Sequence, residues 1–121
     1  MKYSNTAGLL EERLKSSRII ADGAFGTYYA KIYDEGSLPE MANVSAPARV
    51  LAIHRAYIEA GAQIIRTNTF ASNTSILNCK MDEVIYNISH ACDIAKEAAS
   101  NKAYIAGDIG PVGYDNNSQD I

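Results

Sequence analysis

Three short apolar runs, separated by stretches of helical periodicity, constrain this chain more than any other feature. The runs are Arg18-Ile19-Ile20-Ala21, Gln63 to Phe70 and Ala103-Tyr104-Ile105-Ala106. The second is rich in β-branched residues and, like the others, has the length of a strand. Between the first two, Val50, Ile53, Tyr57 and Ala60 recur at helical spacing, with Arg49, Arg55 and Glu59 largely off that stripe. Ser45 is the expected N-cap of this helix, Pro47 is tolerated in its first turn, and Gly61 follows its end. A second helix is expected from about Asp82 to Ser100, with Val84, Ile88, Ala91, Cys92, Ala95 and Ala99 on its apolar face. Leu9 to Lys15 reads as a short amphipathic stretch and Lys31 to Val44 as irregular. The tail, Tyr114 to Ile121, has little to bury and is expected to be disordered.

The order is β-α-β-α-β. Strands alternating with helices imply parallel pairing through crossover connections. A parallel sheet needs helices on its faces and neighbours on its edges, because an open edge leaves a row of unpaired amides. Three strands and two full helices meet that need poorly, so the fold class expected is α/β, an incomplete part of a larger sheet. Self-association through the exposed edges is expected of the isolated chain. At 121 residues the chain is one domain's worth of polypeptide at most.

Charge and composition narrow the partners. A net charge of -3 gives no electrostatic reason to expect nucleic acid or an anionic membrane surface. No apolar run approaches the roughly 20 residues that cross a bilayer. Met1 to Glu12 lacks the apolar centre of a secretory signal, so the cytoplasm is the expected address. Cys79 and Cys92 are not in a CxxC arrangement and read as reduced, buried or half-buried thiols. His54 and His90 read as helix-surface imidazoles. A metal site built from this chain alone is not expected.

In β/α architectures reactive groups gather at the carboxyl ends of strands. All three runs end in unusual residues: Asp22-Gly23-Ala24-Phe25-Gly26-Thr27, Thr67-Asn68-Thr69-Phe70 and Gly107-Asp108-Ile109-Gly110-Pro111. In the first, Gly23 and Gly26 permit a tight turn and let backbone come close to a ligand. Successive N–H groups in such a turn can cradle a carboxylate, and Asp22 can hold an ammonium group. Together they suit the two ends of an amino acid, although a DG turn is also common punctuation. Thr67, Asn68 and Thr69 suit either a pocket or a loop tied by hydroxyls, and the glycines of the third segment more often shape a loop than bind.

These segments carry a resemblance. Asp22-Gly23-Ala24-Phe25-Gly26-Thr27 resembles the DGAMGT-type motif that opens homocysteine S-methyltransferase domains. Ala42-Asn43-Val44-Ser45-Ala46-Pro47 resembles the LNLTxP segment that follows it, and His54 to Ala62 resembles HxAYxEAGAD. Ile64 to Phe70 is similar to IIxTNTF, and Ala106 to Pro111 to AGSIGP. The blocks stand in the family's order over about residues 18 to 113. Phe25 in place of Met and Asp108 in place of a small residue are the departures.

The resemblance implies the N-terminal portion, about three βα units, of a (β/α)8 barrel that moves a methyl group onto the thiol of homocysteine, forming methionine. It implies that Asp22 and the backbone of Gly23, Ala24 and Phe25 hold the amino-acid end of homocysteine. Thr69 and Asn68 would line the same pocket, with Asn43 ordering the loop over it. It implies zinc as cofactor, held by cysteines of later strands that neither Cys79 nor Cys92 matches, so the zinc ligands are expected outside this chain. Zinc keeps a thiol deprotonated; without it the pocket orients homocysteine but does not activate it. Cobalamin-dependent methionine synthases, bifunctional enzymes with a fused methylenetetrahydrofolate reductase, and users of S-methylmethionine or betaine share these blocks, and the general look of the N-terminus favours the bifunctional form. The methyl donor itself is not encoded in these blocks, cobalamin or methyltetrahydrofolate being one of the sources the resemblance allows. The rival expectation is a self-contained α/β module that holds a small anion at its glycine turns without catalysis.

Overall fold

In the computed structural model, which describes residues 6–33 and 36–112, β1 (Ile64–Arg66) and β2 (Tyr104–Ala106) pair in parallel with Ile65 opposite Ile105. The expected first strand is reduced to a single parallel bridge from Ala21 to Ile64, on the other side of β1 from β2. Its contacts remain strand-like. Ile20 O accepts the Gln63 N–H at 2.7 Å, and the Asp22 N–H donates to Ile64 O at 2.9 Å. The run stays short because Ile20 is exposed and its own N–H bonds the Gln63 side chain at 3.0 Å rather than a ladder carbonyl. The second run is also shorter than expected. After the Thr67 N–H reaches Ala106 O, the Thr69 N–H turns back to Thr67 O at 2.9 Å and the chain leaves the sheet. The expected disordered tail lies outside the described residues.

Six helices accompany these strands among the described residues: α1 (Thr6–Leu14), α2 (Phe25–Tyr33), α3 (Ala42–Ser45), α4 (Pro47–Glu59), α5 (Thr74–Leu77) and α6 (Met81–Ala99). A 3-10 turn, Pro39–Met41, leads into α3. α4 ends as its sequence predicts. Gly61 has φ of 112°, its N–H bonds Ile58 O, and the Ala62 N–H bonds Tyr57 O, the bond pair of a Schellman motif. Its start differs from expectation. Ser45 closes α3, with its hydroxyl on Met41 O at 3.1 Å, and Ala46 stands at the N-cap before Pro47.

Two further expectations are corrected. The segment read as a glycine turn and then irregular chain contains α2. Phe25, Tyr29 and Tyr33 lie four apart and pack in series, with ring centroids 6.4 and 4.9 Å apart, the (i, i+4) aromatic contact that a helix provides. Gly26 is therefore helical, and neither Gly23 nor Gly26 has a left-handed φ. The buried face of α6 keeps Val84, Ala91, Ala95 and Ala99 of the expected stripe but departs from the rest of it. Asn87, Ile94 and Ala98 are buried, while Ile88 is exposed and Cys92 half-buried.

The core lies between α4 and α6 and beneath the sheet. Tyr29, Ala42, Val50, Ile53 and Ile94 form one cluster; Ala62, Ile65, Ala95, Ala98 and Ala99 form a second against the strands. Leu51 and Tyr57 touch both. The alanines of α6 let the helix lie close on β1 and β2. No described helix is long and apolar enough to cross a membrane.

Candidate functional site

The ends of the three runs meet in one cleft. It has a volume of about 450 Å3 and is lined by Asp22, Ala24, Phe25 and Gly26, by Leu38 to Glu40, by Arg66 to Ala71, and by Ile76 and Asp108. Five of the seven residues expected at the site, Asp22, Ala24, Phe25, Asn68 and Thr69, therefore border the same space. Gly23 and Asn43 are not among its lining residues and act from behind it.

Asp22 follows the Ala21 bridge, with a side chain only 2% exposed. Its Oδ1 accepts Arg66 Nε–H at 3.0 Å and its Oδ2 accepts the Arg66 backbone N–H at 3.1 Å. Arg66 Nη2 also donates to Gly23 O at 3.0 Å. The carboxylate thus pins the end of β1 to the loop before α2. A Cβ on Gly23 would lie 3.0 Å from the Tyr57 hydroxyl, so glycine there leaves room for the Tyr57 O–H to donate to Ala24 O at 2.6 Å. Burial, and then the charge of Asp22, push the Tyr57 phenol above its ordinary range, so it remains a donor at neutral pH. These bonds fix the loop that enters α2. Because α2 begins at Phe25, the N–H groups of its first turn have no partner within the helix. They are a natural seat for a carboxylate.

Asn43 is fully buried and joins α3 to the end of β1. Its Nδ2 donates to Asn68 O at 2.8 Å and to Asn87 Oδ1 at 3.0 Å, and its Oδ1 accepts Asn68 Nδ2–H at 3.0 Å. Asn68 also donates to Pro39 O at 2.9 Å. Asn87 of α6 donates to Glu40 O at 2.9 Å and accepts from Ser72 at 2.8 Å. Asn43 thus orders Asn68, and with it the cleft floor.

The threonines close a second network. The Asp108 N–H donates to Thr67 Oγ1 at 3.1 Å, the two threonine hydroxyls are 2.7 Å apart, and Thr69 donates to Asp108 O at 2.7 Å. With Thr69 committed to the carbonyl, Thr67 must donate to Thr69, and the ring has one direction. It ties the loop after β2 to the end of β1. Gly110 completes the tie, since a Cβ there would collide with Phe70 O.

His54 corrects a sequence expectation. It lies on the inner face of α4, fully buried, with its ring 5.2 Å from that of Phe25. Neither ring nitrogen has a hydrogen-bond partner among the described residues. Burial, only partly opposed by the negative charge of Asp22, lowers its pKa from 6.5 to about 4, so it is neutral at pH 7. Its position on the Val50–Ile53 stripe was the available signal. Glu40, Arg66, Phe70 and Asp108 also line the cleft without having been singled out as binding residues. Glu40 lies in the stretch read as irregular, and Arg66 carries the β1-to-loop tie.

Among the described residues no three His, Cys, Asp or Glu side chains are grouped so as to hold a metal ion. Cys79 lines a different groove, with Met41, Val44, Leu77 and Tyr86.

The homocysteine S-methyltransferase family model matches residues 19–118. The chain belongs to that family. Among curated relatives, betaine–homocysteine S-methyltransferase 1 of Xenopus tropicalis and that of Xenopus laevis are each 32% identical over 111 aligned residues, covering 84% of this chain and 28% of the relative. The chain thus spans just over a quarter of the length of those relatives. Among solved structures, the homocysteine methyltransferase MmuM of Escherichia coli in its metallated form superposes with a TM-score of 0.69 at 16% identity, covering 84% of this chain and 41% of that one. The oxidised form gives 0.66 at 20% identity. At these identities the likeness establishes a shared α/β fold over part of the neighbour.

Proposed function

We infer that this family member forms the part of a homocysteine pocket that grips the substrate's amino-acid end. The protein it serves transfers a methyl group to the homocysteine thiol to give methionine, and these residues supply about three βα units of its (β/α)8 barrel. The observation that carries the reading is the convergence of Asp22, Ala24, Phe25, Asn68 and Thr69 on one strand-end cleft. The first turn of α2 receives the α-carboxylate, and the cleft's anionic side chains face the ammonium group. Asn43 and the threonine ring hold these groups in place before the substrate arrives, so little order is lost on binding. The sulfur end is left toward solvent and toward whatever polypeptide completes the barrel.

Zinc, with cysteine ligands outside this chain, remains part of the proposal for the complete enzyme, and the contribution of these residues is to bind and orient. Betaine is the donor in the names of the Xenopus relatives, so donor assays of the complete enzyme should set betaine beside methylcobalamin and methyltetrahydrofolate. A cytoplasmic location, and self-association of the isolated chain through the unpaired side of β2, belong to the same reading.

Calorimetric titration of the chain with L-homocysteine tests it. A saturable heat is expected, weakened by Asn68→Ala, which removes the bonds to Pro39 O and Asn43. No saturable heat at millimolar ligand would reject the pocket.

A further inference from the structure

α6 is apolar over more of its circumference than the core uses. Its inner side packs against α4 and the strands. Beside that buried side, Met81, Ile85, Ile88 and Cys92 recur at steps of four, three and four and form one stripe along the helix. Met81 and Ile85 are 60% and 58% exposed, Ile88 is 36% exposed, and Cys92 is half-buried. The core leaves this stripe uncovered.

The charges flanking the stripe decide what fits it. Asp82 lies at its N-terminal end and Lys96 at its C-terminal end, both exposed. Asp82 accepts the Glu83 N–H of its own helix at 2.9 Å, and neither residue has an ion-pair partner among the described residues. At the helical rise per residue they stand about 21 Å apart, too far to meet on one helix. A second α6 laid antiparallel about a two-fold axis at Ser89, midway between them, brings each Asp82 opposite Lys96 of the second copy. The same operation sets Ile88 beside its own counterpart and Ile85 beside Cys92 of the second copy. A parallel arrangement would instead place like charges together. Both halves of the complementarity are therefore carried by one element, as a self-complementary two-fold interface requires.

We propose that the outer stripe of α6 is a contact between two copies of this chain, packed antiparallel, with Asp82 of each copy paired to Lys96 of the other. The contact is separate from the unpaired side of β2 and does not depend on what the cleft binds. A single helix pair gives an interface at the low end of the stable size range, so association at micromolar rather than nanomolar concentration is expected.

Sedimentation velocity of the chain at high micromolar concentration tests this, with far-UV circular dichroism to check that each variant keeps its helix content. The substituted positions are all exposed, so the core is left intact. The wild-type chain is expected to dimerise. Ile85→Asp should weaken the dimer roughly tenfold or more, because it sets a carboxylate in the apolar seam. Asp82→Lys and Lys96→Asp each put like charges opposite one another and should each weaken it severalfold. The two together should return the dimerisation constant toward the wild-type value, since the exchange restores opposite charges across the copies. That recovery is decisive, because the two positions are too far apart to compensate within one helix. A monomeric wild-type chain overturns the proposal. So does an Ile85→Asp variant that associates as the wild type does, which would put the contact elsewhere, such as the β2 edge. A double variant no tighter than either single one overturns the antiparallel pairing, and the proposal with it.

Discussion

His54 carries two buried ring nitrogens without partners among the described residues, and this makes it sensitive to acid. Its pKa is 6.5 when exposed and about 4 in the fold. The depressed folded value means that, between those two, the unfolded chain binds the proton and the folded one resists it. Stability is therefore fully present above about pH 6.5 and is lost as pH falls toward 4, by about 2 kcal/mol at pH 5. Urea unfolding of the chain at pH 7 and pH 5 should show that difference, and His54→Leu should flatten it. An unchanged slope in the variant would mean that His54 is not the titrating group. Asp22 shows how a residue type can be right for a site and its bonding still be hidden. The sequence places a carboxylate at a strand end, but its claim by Arg66, 44 positions away, depends on the pairing of the chain. Glu40 is hidden in the same way, since its amide donor lies 31 positions on.

Elements whose cause is local were legible. α4 has its stripe, its first-turn Pro47 and its Gly61, and each acts within one or two turns of the helix. The polar cluster at the end of β1 was legible for a similar reason, because Thr67, Asn68 and Thr69 sit together at the edge of an apolar run. α2 was obscured by the glycines that precede and enter it, although its aromatic residues at Phe25, Tyr29 and Tyr33 carry the period. Part of the buried face of α6 was missed because Asn87, a polar residue, faces inward to a network drawn from α3, the 3-10 turn and the segment after β1. That network is what makes Asn43 a junction between elements. Asn43→Ala leaves the Asn68 amide short of a partner inside the protein, so it should lower unfolding free energy by roughly 3 kcal/mol and loosen the cleft floor. Chemical denaturation of the variant checks this. A loss under about 1 kcal/mol, as for an exposed side chain, would show that the network does not bear on stability.

Across the whole molecule, the sheet is narrow and the apolar surface wide. β2 pairs on one side only among the described residues, and Met81, Ile85, Tyr86 and Ile109 are exposed. The parallel order follows from strand–helix alternation alone; the shape of the cleft does not, because it arises where residues from Asp22 to Asp108 come from different elements to one rim. The account stands on that rim being the binding surface. The direct measurement is an amide chemical-shift map of the chain titrated with L-homocysteine. The account predicts that the largest shifts fall on Gly23 to Thr27, Arg66 to Ala71 and Asp108. Shifts concentrated instead around Val44, Leu77, Cys79 and Tyr86, in the other groove, would contradict it.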